Sequence, residues 1–151
     1  MEAMVAVVIV IALACLAKPP MARYIKTLEQ KNAVLGVRKL MQTARSRAMA
    51  NPSVHCGVYF DVNARPPRAF LFADTYAPGS YAYDAGKDKP YLAPFTLPKG
   101  SSLSVAADYP GSLVYRGDGS AYLSAKVIVR SPGLSDTLDV LASTGRIRST
   151  R

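Results

Sequence analysis

Residues 2–50 read EAMVAVVIVIALACLAKPPMARYIKTLEQKNAVLGVRKLMQTARSRAMA, and the reading of this stretch decides the fold. From Ala3 to Ala17 every residue is apolar, and Glu2 is the only charged side chain ahead of Lys18. Past Pro19-Pro20 the pattern turns amphipathic. Ile25, Leu28, Leu35, Val37, Leu40, Met41, Ala44 and Ala48 recur at helical spacing, with Arg23, Lys26, Lys31, Arg38, Lys39, Arg45 and Arg47 between them. One helix of about 49 residues at roughly 1.5 Å each is a rod on the order of 70 Å, longer than a domain of this size can bury. It should stop near Ala50-Asn51-Pro52, because proline cannot donate the next helical hydrogen bond and drives its predecessor out of the helical region. Pro19 and Pro20 remove the bonds to the carbonyls of Cys15 and Leu16, which predicts a kink or local unwinding there.

The apolar half has two other readings. A secretory signal peptide needs a basic flank ahead of its apolar core, and here that flank is the acidic Glu2. Ala12-Leu13-Ala14-Cys15 is similar to a lipoprotein cleavage box, which leaves lipidation of Cys15 as an alternative. A retained helix ranks first. Fifteen apolar residues are somewhat fewer than the about 20 that span a bilayer core. A carboxylate at the edge of such a run costs about 2.5–3.5 kcal/mol if carried unpaired to mid-membrane, so Glu2 calls for a neutralising partner.

Glu2, an unbroken apolar run, Pro19 seventeen residues later and an amphipathic continuation resemble the N-terminal pattern of type IV pilins and the pseudopilins of type II secretion. The resemblance implies that Glu2 pairs with the terminal amine of a neighbouring subunit as helices assemble into a filament core, and that Pro19 belongs to the same assembly segment. It also implies a prepilin peptidase that cuts the precursor. The basic leader, the glycine before the cut and most of the short apolar lead are missing ahead of Met1, so the peptidase is expected to act on a longer, full-length precursor.

Beyond Pro52 the period becomes alternating and β-branched. Val54–Asp61 and Arg68–Asp74 read as two strands of a hairpin joined by a turn-rich NARPPR segment. Tyr76–Gly100, with four prolines and four tyrosines, has no sustained period and reads as a long loop or edge region, the least rigid part of the chain. Short strands follow at Leu103–Ala107, Leu113–Arg116, Ala121–Arg130 and Thr137–Ala142, with Gly117-Asp118-Gly119 as a tight turn. The expected fold is α+β: a long N-terminal helix, apolar then amphipathic, packed on a small antiparallel β-rich head. Residues 1–21 form the transmembrane or filament-core segment, and residues 22–151 form a pilin-like head with an amphipathic helix 22–51 and a β-rich region 53–151.

A net charge of +9 favours acidic partners such as nucleic acid, anionic lipid or an acidic protein face. Cys15 and Cys56 stand on the order of 50 Å apart along the rod and cannot bridge, and Cys56 reads as a buried small hydrophobe. The single histidine, His55, lies in a predicted strand with no nucleophile or carboxylate constellation around it, so no enzyme, metal or cofactor is expected. Arg116-Gly117-Asp118 spells an integrin-binding tripeptide, which a turn in a basic protein produces by chance.

The helix end LMQTARSRAMANPSVHCGVYFD, the stretch SLVYRGDGSA and the closing TLDVLASTGRIRSTR resemble the GspH/FimT-type minor pseudopilins over nearly the whole chain, while the Tyr76–Gly100 loop has no counterpart there. This implies a single-pass protein of the bacterial inner membrane, its head in the periplasm or outside the cell, whose partners are other pilin or pseudopilin subunits. In an extended tail Arg146 and Arg148 point to one side, and Gly145 lets the backbone turn away from the preceding strand. Gly145, Arg146 and Arg148 also match the Gly-Arg-x-Arg motif through which FimT-type minor pilins bind DNA, so these residues, with Arg151, are candidate contacts for double-stranded DNA. The alternative is that Arg146 and Arg148 merely solvate an edge strand.

Overall fold

The computed structural model describes residues 2–75, 81–107 and 111–150; along the first 20 residues of the chain only the helical backbone and the side chain of Val7 are described. Helix α1 runs from Glu2 to Ala50. It ends where proline predicts: the Asn51 amide closes the last turn on the Arg47 carbonyl at 3.0 Å, and the Val54 amide donates to the Asn51 carbonyl at 3.0 Å. The expected unwinding at Pro19-Pro20 is not found, for the helix is continuous through both. Two adjacent prolines delete two bonds of one turn, and the intact bonds on either side carry the helical path across the gap. Among the described residues no helix is long and apolar enough to cross a membrane.

Among the described residues nine strands follow: β1 His55–Asp61, β2 Arg68–Asp74, β3 Lys89–Pro90, β4 Phe95–Thr96, β5 Ser102–Ala107, β6 Ser112–Tyr115, β7 Ala125–Ser131, β8 Leu134–Val140 and β9 Ile147–Thr150. They form two antiparallel sheets. The first has the order β3-β2-β1-β6, with β4 also on β2, and the second has the order β5-β7-β8-β9. The expected hairpin is present, registered from His55 opposite Asp74 to Asp61 opposite Arg68.

The Tyr/Pro stretch is an edge region. Beyond residue 80 it lays β3 and β4 one after the other on the outer edge of β2. Asp88, almost fully buried, ties it down by accepting from the Thr75 amide at 3.1 Å and the Asp84 amide at 2.8 Å. Tyr83 packs against Tyr59, Phe70 and Phe72, with ring centroids 4.8–5.3 Å apart, and so covers the outer face of the first sheet.

Both sheets grip one face of α1. Gln30, Ala33, Val34, Val37, Met41, Ala44 and Ala48 are buried, at the three- and four-residue spacing of a single stripe. They meet Val58, Leu71 and Leu113 of the first sheet and Val127, Val129 and Leu138 of the second in one core. The alanines let the sheets approach, and Gly36 does the same for β4, since a Cβ there would run into the Phe95 ring. The apolar spacing read from the sequence therefore divides in two. Ile25, Leu28 and Leu35 join Met21 and Tyr24 as an exposed stripe on the opposite face.

The lower end of this packing is polar. Gln30 donates through Nε2 to the Val129 carbonyl at 2.8 Å and accepts at Oε1 from the Ser131 hydroxyl at 2.5 Å, while Ser131 and Ser101 are 3.1 Å apart. Three segments meet at one buried amide: the helix, the end of β7 and the entry to β5. Below Gln30 the helix is exposed as far as Met21 except at the half-buried Thr27.

Candidate functional site

The tail is built on two glycine turns held by one helical arginine. Arg45 donates through Nε to the Gly119 carbonyl at 2.9 Å and through Nη2 to the Thr144 carbonyl at 3.1 Å. Gly145 is buried with φ 59°, and a Cβ on it would strike that same Gly119 oxygen. Its amide donates to the Leu141 carbonyl at 2.8 Å, and the Leu141 amide returns a bond to the Arg146 carbonyl at 3.2 Å. Position 145 thus requires glycine for its backbone angle and for the close approach.

From this turn β9 adds to β8, with Ile147 opposite Val140, Arg148 opposite Asp139 and Thr150 opposite Thr137. Ile147 packs against the core, so Arg146 and Arg148 both fall on the exposed face, as the two-residue alternation predicts. Arg151 lies outside the described residues. Across the same face Lys126 of β7 sits 3.9 Å from Asp139, which also accepts from the Thr150 hydroxyl at 2.9 Å. Arg148 and Lys126 therefore flank one carboxylate, and Arg146 stands a row beyond it. The face thus carries three cations around one acid, which stands between two of them.

The arginines of the helix end are engaged in the head. Besides Arg45, the guanidinium of Arg47 stacks over the Tyr91 ring, 4.5 Å from its centroid. Cys56 is buried beside that ring. Burial pushes its thiol up, and the Tyr91 hydrogen bond and the Arg47 charge oppose the rise only in part, so it stays a neutral thiol.

His55 shares a hydrogen bond of 3.0 Å with the Tyr122 hydroxyl, its ring meeting the tyrosine edge-on. Tyr122 in turn stacks on Tyr81 and lies under the Arg116 guanidinium at 4.4 Å. In the Arg116-Gly117-Asp118 turn the acid is occupied too: Asp118 accepts from the Ser120 hydroxyl at 2.6 Å and the Ser120 amide at 2.8 Å, which holds its carboxyl below the usual range. Both charged ends of the tripeptide are used within the head. Among the described residues no three side chains of the metal-ligating types come together.

The side chains of Glu2 and Pro19 lie outside the described residues; their backbone is in α1. Sequence reasoning gave no role to Gln30 or Arg45. A glutamine flanked by charged residues on an amphipathic helix carries no mark of burial, and Arg45 looks like its basic neighbours. The one available signal was periodicity, for Gln30 falls in register with Val34, Val37 and Met41.

No known family model matches the sequence, and no curated protein matches it. In three dimensions the chain is similar to the minor pseudopilin EpsH from the type 2 secretion system of Vibrio cholerae, with a TM-score of 0.61 and 15% sequence identity. The match covers 81% of this chain and 96% of that one. The two share the α+β architecture of a long N-terminal helix packed on antiparallel sheets.

Proposed function

We propose that the chain is a minor pseudopilin, a subunit that enters a pseudopilus through its N-terminal helix. The observation that carries this reading is the second stripe of α1. Met21, Tyr24, Ile25, Leu28 and Leu35 are exposed on the face turned away from the head, in line with the apolar run Ala3–Ala17. Isolated exposed apolar residues are ordinary, but five at helical spacing make a surface that a neighbouring helix can cover. Before assembly the same run holds the subunit in the inner membrane, with the head outside the cytoplasm, and Glu2 is the residue that meets a neighbour's terminal amine. Prepilin peptidase acts on the precursor. The role is structural rather than enzymatic.

The test is fractionation of full-length protein produced in its own host. Wild type should appear in the membrane and in sheared filaments. Glu2→Ala should keep the membrane fraction and vanish from the filaments, because insertion needs only apolar residues while assembly needs the carboxylate. Unchanged incorporation of the variant would remove the role given to Glu2, and freely soluble wild type would end the anchoring reading.

A second reading is capture of double-stranded DNA at the tail. It is favoured by the alignment of Arg146 and Arg148 on one exposed face, beside Lys126 and anchored through Gly145. Such contacts to phosphate bind any duplex sequence and weaken steeply with salt.

A further inference from the structure

A groove of roughly 550 Å³ opens between the loop joining β1 to β2 and the loop joining β4 to β5, lined by Val62, Arg65, Pro66, Lys99 and Ser101 among others. Val62, Arg65 and Lys99 are exposed. Among the described residues neither Arg65 nor Lys99 forms an ion pair, whereas Arg68 nearby is satisfied by Asp61 at 2.9 Å. The groove has an apolar wall and two free cations.

Its place in the fold says what it faces. Ser101 in the groove is bonded to Ser131, and Ser131 to Gln30, the lowest buried residue among the described side chains of α1. The groove therefore opens at the end of the head from which the helix leaves toward its apolar run. The run Ala3–Ala17 measures about 22 Å, against a hydrocarbon core of about 30 Å. The exposed Met21, Tyr24 and Ile25 extend the apolar face to roughly the required length, and Lys18, Arg23 and Lys26 beside them can carry their charges outward along apolar stems. The core boundary then falls near Ile25. Gln30 is five residues, about 8 Å, further on, which is close to the depth of one headgroup layer. The loops with Arg65 and Lys99 come down among the lipid phosphates.

We infer that this groove is a docking site for the headgroups of an anionic phospholipid bilayer, holding the head upright on the membrane before the subunit is withdrawn into a filament. This rests on the membrane-anchored reading above. The two cations attract anionic headgroups, and Val62 and Pro66 supply the apolar side of the contact. Withdrawal from the bilayer frees the groove.

The experiment uses the full chain in nanodiscs of phosphatidylcholine alone and of phosphatidylcholine with one-third phosphatidylglycerol. Backbone amide exchange is followed in residues 62–65 and 99–102. Exchange should slow in the anionic discs by up to about 30-fold, the equivalent of about 2 kcal/mol for two cations near a charged surface. The Arg65→Gln/Lys99→Gln variant should enter the discs normally and lose that protection. Equal exchange in the two lipid compositions, or undiminished protection in the variant, would overturn the inference while leaving the anchored reading intact. Failure of the wild-type chain to enter discs would overturn both. Equal protection by millimolar inorganic phosphate in phosphatidylcholine discs would identify a soluble-anion site instead of a lipid one.

Discussion

Arg45 and Gly145 converge on one atom: the Gly119 carbonyl oxygen accepts from the Arg45 guanidinium at 2.9 Å and leaves no room for a side chain at residue 145. The tail is thereby fastened to the helix, and the orientation of Arg146 and Arg148 depends on that fastening. Arg45→Ala should lower stability by about 2 kcal/mol, since it leaves two carbonyls without a charged donor. Gly145→Ala should cost at least as much, adding left-handed strain to a collision with backbone. Urea denaturation of the two variants measures both, and a neutral Arg45→Ala would mean that water replaces the guanidinium without loss.

The tail face makes a separate prediction for DNA. Arg146→Ala/Arg148→Ala should flatten the dependence of log affinity on log salt by about two contacts without changing the melting temperature, because both side chains are exposed. Asp139→Asn should act oppositely and tighten binding, for it removes the acid between Lys126 and Arg148. Fluorescence anisotropy of a labelled duplex over a salt series reads both effects. Tightening that fails to appear in Asp139→Asn would place the duplex elsewhere.

Gln30 is the polar fastening between α1 and the second sheet. Gln30→Leu should destabilise the head by about 2–3 kcal/mol, as the Val129 carbonyl and the Ser131 hydroxyl lose buried partners. Ser131→Ala should cost less, since the glutamine keeps its bond to Val129. Thermal melts of the pair rank the two.

Asp118 gives a prediction in pH. Its carboxyl is held below the usual carboxylate range chiefly by the Ser120 hydroxyl and next by the Ser120 amide. A folded pKa below the unfolded one stabilises the turn above the unfolded value and loses that contribution as pH falls through the folded value. NMR titration should show Asp118 ionising at lower pH than a free aspartate. Ser120→Ala should move it back toward that value, leaving the Ser120 amide and the Arg116 charge to hold what remains of the shift.

The helix was legible because its period and its terminating proline are both local signals, and the β1–β2 hairpin was legible because two short, mostly apolar runs flank a turn-rich NARPPR segment. What the sequence hid depends on distant partners. β9 is four residues, Ile147–Thr150, of which only Ile147 is partly buried, so its pairing comes from Leu138 and Val140 rather than from any pattern of its own. The second sheet shifts two expected boundaries for the same reason. β8 begins at Leu134, three residues before the expected Thr137, because β7 extends opposite it to Ser131. β7 begins at Ala125 instead of Ala121, because Ala121 is drawn to Tyr115 of the other sheet. Of the candidate tail, the shared face of Arg146 and Arg148 followed from alternation. The hold of Arg45 on the turn beneath them did not, since it joins residues 74 and 99 positions apart.

The Gln30 fastening also has a mechanical meaning. A pull along the helix axis reaches the head first at this residue, where β7 and the entry to β5 are tied to α1 together, and is shared between two segments before it reaches the apolar core. Below it, among the described residues only Thr27 is partly covered, so a change of direction there disturbs little of the packing on the sheets. The chain is a handle and a load joined along Gln30–Ala48, with the pull entering at Gln30, and the described part of the bare handle is Met21–Glu29.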